Sequence, residues 1–323
     1  MIAPGTARQK ERKKERKFLI GMKIKASRLS VACGAALLLL SGIAQAQQTN
    51  GYNSLFIGHS FFRPVAEGMP FHAAEAGLAQ HAQTVFFSGG ASGAPQAFWE
   101  NPQKRANIQA VLDTGNIELF GMTYEGTYPT TEGYENWIDY ALAQNPNTRF
   151  FIGLPWPDFP EDYSDASTYG NFWISGHATG WHNFINTLRD LYPGVDIFCI
   201  PYGRGAVELR TLYEAGALPD VVALTSATQD SLFNDAKGHA DDIVIDLAQL
   251  IWLNAIYEVD LTTYPHDPGY STDLKAIAQS IMDAHRVDPQ SVPALPVAGL
   301  AVLASALTAV AYRRLAPSGG ASE

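Results

Sequence analysis

The sequence predicts an α/β domain built on a mainly parallel, doubly wound sheet, and three observations predict it. Short apolar runs of about six residues recur along the chain, helical patterns separate them, and Gly-rich or Pro-rich turns close most of those helices. Runs rich in β-branched and aromatic residues are what strands buried on both faces require. Their alternation with helices implies parallel pairing through crossovers.

In chain order the strand candidates are S-L-F-I-G, Q-T-V-F-F-S, I-E-L-F-G-M-T, R-F-F-I-G-L-P, V-D-I-F-C-I-P and D-V-V-A-L-T. The helical candidates between them cover residues 65–80, 103–112, 131–144, 172–191 and 206–214. A long amphipathic helix follows, with Ile243, Leu247, Leu250 and Ile251 at helical spacing and Asp241 and Asp242 suited to its positively polarised first turn. Residues 47–288 are enough for one such domain, without internal repeats.

Both ends read as something other than this domain. Residues 1–46 run from a basic segment through a short apolar run to Ala44-Gln45-Ala46, the order of a secretory signal. Met22 is an alternative start, since residues 22–46 alone have the usual length. The mature chain is expected to begin at Gln47, which amino-terminal sequencing reads directly. The leader carries ten of the 22 Lys and Arg and two of the 32 Asp and Glu. The remainder has 12 basic against 30 acidic residues, a net charge near −18. Such a chain repels nucleic acid and anionic surfaces. Only Cys199 survives processing, so no internal disulfide forms, and Cys199 reads as a buried, inert thiol.

Residues 292–312 are uncharged and end at Arg313-Arg314. That length spans a hydrocarbon core of roughly 30 Å, with the arginines on the cytoplasmic side. The preceding D-P-Q-S-V-P-A-L-P reads as a linker. Residues 289–323 are therefore expected to be a linker, a membrane or sorting segment and a basic tail. The V-P-x-L-P start, apolar span and terminal arginines resemble carboxy-terminal sorting tails of the PEP-CTERM type. That resemblance implies a membrane-embedded sorting enzyme as a partner.

Reactive groups in doubly wound sheets collect outside the carboxyl ends of the strands. Three segments would meet there. Gly58-His59-Ser60-Phe61 follows the first strand directly. Gly89-Gly90 follows the second, where glycine lets backbone N–H groups approach a ligand closely. Asp235 and His239 precede the long helix. This order resembles the SGNH/GDSL hydrolase superfamily, most closely its G-[NH]-S-F branch, and the resemblance spans nearly the whole exported domain. It implies a three-layer α/β/α flavodoxin-like fold and hydrolysis of esters, acetyl esters on carbohydrate among them.

By that resemblance Ser60 is the nucleophile, His239 the base and Asp235 the acid that orients it. The N–H groups of Ser60 and Gly90 form the oxyanion hole. Two departures are plain. Three residues separate Asp235 from His239 where the family has two, which leaves Asn234 and Asp241 as alternative partners. The family's G-x-N-D block is replaced by G-M-T-Y-E-G-T-Y, without asparagine, so Thr123 and Tyr124 are the substitute donors.

His59 reads as structural or substrate-facing. Trp156 opens an aromatic loop, residues 155–173, which reads either as a carbohydrate-binding wall or as a self-packed surface loop. Its acidic residues match no Ca²⁺ loop. His177 and His182, five apart on one helix, make no metal site by themselves, and no metal or organic cofactor is expected.

The expectation is an exported, surface-tethered carboxylic ester hydrolase. Its partners would be an acylated small-molecule or carbohydrate substrate, the sorting enzyme, and the membrane through its C-terminal segment. A non-catalytic carbohydrate-binding protein on the same fold is the alternative.

Overall fold

The computed structural model describes residues 50–287. The expected leader and the tail segment lie outside the described residues. Among the described residues no helix is long and apolar enough to cross a membrane.

Five strands form the main sheet: β1 (Asn53–Gly58), β2 (Ala82–Phe87), β3 (Leu119–Thr123), β4 (Arg149–Gly153) and β5 (Ile197–Ile200). Their order is β2-β1-β3-β4-β5, and all are parallel. Around them run α1 (Arg63–Glu75), α2 (Pro95–Glu100), α3 (Pro102–Leu112), α4 (Glu132–Gln144), α5 (Ala166–Ser175), α6 (His182–Leu191), α7 (Gly203–Glu214), α8 (Asp242–Tyr257) and α9 (Leu274–Val287). The result is a three-layer α/β/α fold. The strand order reverses between β1 and β3, the place where open α/β sheets leave a crevice. Ser60 lies just beyond the end of β1.

Strand side chains alternate between the two faces with period two. Phe56, Phe151 and Ile200 point into one core, with Val65 and Met69 of α1 and most of α8. Leu55, Ile57, Phe120, Phe150 and Ile152 point into the other, with Trp137 of α4 and Leu188 of α6. Trp252 of α8 anchors the first core through edge contacts to Phe62 (4.8 Å) and Phe151 (4.9 Å).

Three expectations need correction. The sixth run, D-V-V-A-L-T, does not join the main sheet. It supplies β6 (Ala223–Thr225), which pairs with β7 (Ser231–Phe233) in a separate two-stranded sheet. The Q-T-V-F-F-S run is an edge strand whose burial is incomplete: Val85 and Phe86 pack partly buried against the two opposite cores, and Phe87 is exposed. The single helix expected over 172–191 is broken, because a π-helical turn, Gly176–Trp181, separates α5 from α6. Gly176 and Gly180 weaken α-helical commitment in that turn. Helices α2 and α9 were not anticipated: α2 has only six residues, whereas α9 does carry helical spacing, with Leu274, Ile277, Ala278, Ile281 and Met282 on one face.

One buried group makes stability depend on pH. His72 of α1 is held between Tyr264 Oη (2.8 Å) and Gln249 Oε1 (2.9 Å). Burial lowers its pKa to about 4. A folded-state pKa below the unfolded value means the unfolded chain binds the extra proton first. Stability is therefore full above pH 6.5 and falls as pH drops toward 4, by about 3 kcal/mol from this group. Denaturant melts at pH 7 and pH 4.5 should differ by less in His72→Gln than in the wild type. An unchanged difference would refute the assignment.

Candidate active site

A tight turn presents Ser60. The carbonyl of His59 accepts the N–H groups of Phe62 (3.1 Å) and Arg63 (3.0 Å), folding the chain from β1 into α1 and leaving Ser60 half-buried at the bend. Gly58 permits the fold-back, since a Cβ there would lie 2.4 Å from the Phe62 ring. The glycine block packs against the same turn. A Cβ on Gly93 would meet Gly58 O at 2.7 Å and His59 Cα at 2.7 Å. That close approach puts the 3₁₀ turn Gly90–Gly93 alongside Ser60. Gly90 has φ +52, a left-handed conformation natural to glycine. Among the described residues, neither Ser60 N–H nor Gly90 N–H donates to a backbone carbonyl.

The base arrives from the loop before α8. His239 Nε2 is 2.9 Å from Ser60 Oγ, and His239 Nδ1 is 2.7 Å from Asp235 Oδ2. The other Asp235 oxygen accepts the N–H groups of Gly238 and His239, each at 3.1 Å. Gly238 has φ +94, and that turn lets a spacing of three intervening residues bring carboxylate and ring together. Partial burial pushes the Asp235 carboxyl up. The hydrogen bonds from the His239 ring and the loop N–H groups outweigh it, and the pKa stays below the ordinary aspartate value. An ionised Asp235 fixes the proton on Nδ1 and leaves Nε2 free to accept from Ser60.

The alternative partners are occupied elsewhere. Asp241 caps α8 through Asp242 N–H (3.0 Å) and accepts from the Ser231 hydroxyl (2.9 Å). Asn234 donates its amide to Ala240 O (2.7 Å).

Several expected substrate groups turn out to be scaffolding. Thr123 is fully buried, and its hydroxyl faces His59 Nε2 at 3.0 Å and Tyr124 O at 3.3 Å. It cannot reach a ligand, which removes it as an oxyanion donor. His59 is buried as well. Its Nδ1 accepts the Phe61 N–H (3.2 Å), so the proton sits on Nε2. Burial holds its pKa below the usual histidine value, which keeps the ring neutral.

Trp156 is 2% exposed, stacks on Phe61 and donates Nε1 to Gly238 O (2.8 Å). It braces the histidine loop and offers no stacking face for a sugar. Tyr169 and Trp173 are buried too, so the aromatic loop is mainly self-packed; only Phe159 and Phe172 are exposed.

A cleft of about 480 Å³ opens over Ser60. Gly90, Tyr124, Trp156, Phe172 and Lys237 are among the residues that line it. Lys237 and Phe172 were not anticipated. The only sequence signal for Lys237 is its place between Asp235 and His239. It pairs with Asp158 at 2.5 Å across the cleft rim.

No family model matches the chain, and neither does any curated protein. Among solved structures it is similar to a DUF4886 family protein from Bacteroides uniformis, at 15% identity and TM-score 0.49, covering 76% of this chain and 98% of that one. It is also similar to a Parabacteroides merdae protein described as a GDSL-like lipase, at 15% identity and TM-score 0.38, over 64% and 96% of the two chains. A third is the periplasmic domain of a lipopolysaccharide acetyltransferase from Salmonella ser. Paratyphi A, at 13% identity and TM-score 0.32, over 49% and 69%.

Proposed function

We propose that the protein is an exported serine esterase that hydrolyses acyl esters, acetyl esters of carbohydrate among them, and that its tail tethers it to the cell envelope. One observation supports this above the others: the unbroken relay from Ser60 Oγ through His239 to Asp235, at 2.9 and 2.7 Å, opening onto a cleft.

Ser60 Oγ attacks the ester carbonyl carbon as its proton passes to His239 Nε2. The negative charge on the carbonyl oxygen is met by the N–H groups of Ser60 and Gly90. The tetrahedral adduct collapses, and the alcohol leaves with the proton from Nε2. Water then attacks the acyl-serine and gives its proton to Nε2. The acid departs and the proton returns to Ser60 Oγ. Asp235 holds the imidazole tautomer throughout and stabilises its charged form.

The purified mature protein should hydrolyse p-nitrophenyl acetate and release acetate from acetylated sugars. An organophosphonate should add to it once, at Ser60, as read by peptide mass. Absence of both turnover and labelling in folded protein would leave a non-catalytic binding role as the better account.

A further inference from the structure

A second cluster of reactive side chains lies away from Ser60. His177, His182, Cys199 and His285 each offer one ligand atom, and these atoms all fall within 4.8 Å of one another. They come from four places: the π-helical turn, the start of α6, strand β5 and helix α9. We propose that they form a zinc site, in which three neutral imidazoles and one thiolate bind a single Zn²⁺.

The π-helical turn makes this geometry. On an α-helix, residues five apart point about 140° away from each other. Here the backbone N–H of His182 bonds to the carbonyl of His177, five residues back, and the two side chains fall on one face. Their ring centroids are 4.1 Å apart. His285 closes from α9, with its centroid 5.8 Å from that of His177 and its Nε2 3.4 Å from Cys199 Sγ. Trp173 stacks on His177 at 4.8 Å and fixes that ring.

The donor set identifies the ion. Nitrogen and sulfur ligands without a carboxylate suit a borderline-soft cation and disfavour Mg²⁺ and Ca²⁺. Four donors match the tetrahedral preference of structural zinc, whose ligand atoms stand roughly 3.3–3.7 Å apart. A contraction of about 1 Å around the ion closes the cluster to that size. The Cys199 thiol gives its proton to solvent as it binds. His177 and His285 also line a cavity of about 750 Å³, with Arg204 and Glu208 at its wall, and this provides the entry path. Bound zinc would cross-link the α5–α6 junction to β5 and α9.

The test uses untagged mature protein. After purification without chelator, elemental mass spectrometry should find about one zinc per chain. Chelator-treated protein should take up one Co²⁺ with the absorption of a tetrahedral thiolate complex, and Cys199→Ala should lose the thiolate-to-cobalt band. Chelation should lower the wild-type Tm by roughly 5–10 °C and leave that of Cys199→Ala unchanged. If Cys199→Ala does not fold, His285→Gln, altered at a half-exposed ring, carries the same comparison. Wild-type protein that binds neither ion at micromolar concentration, or variants that retain full metal content, would overturn the proposal.

Discussion

Replacing Ser60 by alanine is expected to lower kcat for ester hydrolysis by about 10³-fold or more, and His239→Ala by a similar factor. The double variant should be little worse than either single one, because the two groups act as one unit across a 2.9 Å contact. Asp235→Asn should cost the same or less, since the acid orients and supports the ring without reacting. All three should stay folded. Ser60 is half-buried at a turn, and the His239 and Asp235 side chains are 39% and 50% exposed. Circular dichroism checks the fold while initial rates check the chemistry. A folded Ser60→Ala variant with near-wild-type turnover would end the serine-esterase reading.

The second large effect is on stability. Arg210 of α7 is 2% exposed, and its guanidinium bonds to Glu214 (2.8 Å), Pro160 O (2.6 Å) and Tyr163 O (3.0 Å) while lying over the Tyr169 ring. One side chain thus organises the loop that forms a wall of the cleft. Arg210→Met keeps most of the volume and removes every donor, so two carbonyls and Glu214 Oε1 lose theirs, while Glu214 Oε2 keeps the Ala166 N–H (2.6 Å). Removing one partner of a buried pair costs 3–5 kcal/mol in general; about 3 kcal/mol is expected here, because Glu214 is one-third exposed. Glu214→Gln in the same chain should recover part of the loss. Urea unfolding measures both, and a loss under about 1 kcal/mol in Arg210→Met would refute this role.

Much of this was legible because the informative residues lie next to regular elements. Ser60 stands two residues past a strand of unmistakable composition, and Asp241-Asp242 mark the start of α8, which fixes the loop carrying His239. The main sheet followed from five apolar runs. What failed to read depends on contacts between distant segments. Thr123 looked available, but its hydroxyl is taken by His59, which no spacing reveals. Trp156 looked like a stacking surface until Phe61 and Gly238 O claimed it. The cluster of His177, His182, Cys199 and His285 was hidden twice over. A five-residue interval has the wrong phase for an α-helix, and His285 lies 86 residues beyond Cys199.

Asp235 and His239 belong to one five-residue loop, which Trp156 Nε1 ties down through Gly238 O. Acid and base therefore travel together, whereas the serine is carried by a different part of the molecule. Drift of the loop relative to β1 changes the length and angle of the contact between Nε2 and Oγ, and leaves the tautomer of the base untouched. Separate contacts therefore set position and tautomer: Trp156 Nε1 on Gly238 O (2.8 Å) and Phe159 N–H on Lys237 O (3.0 Å) hold the loop, and Asp235 holds the ring's proton.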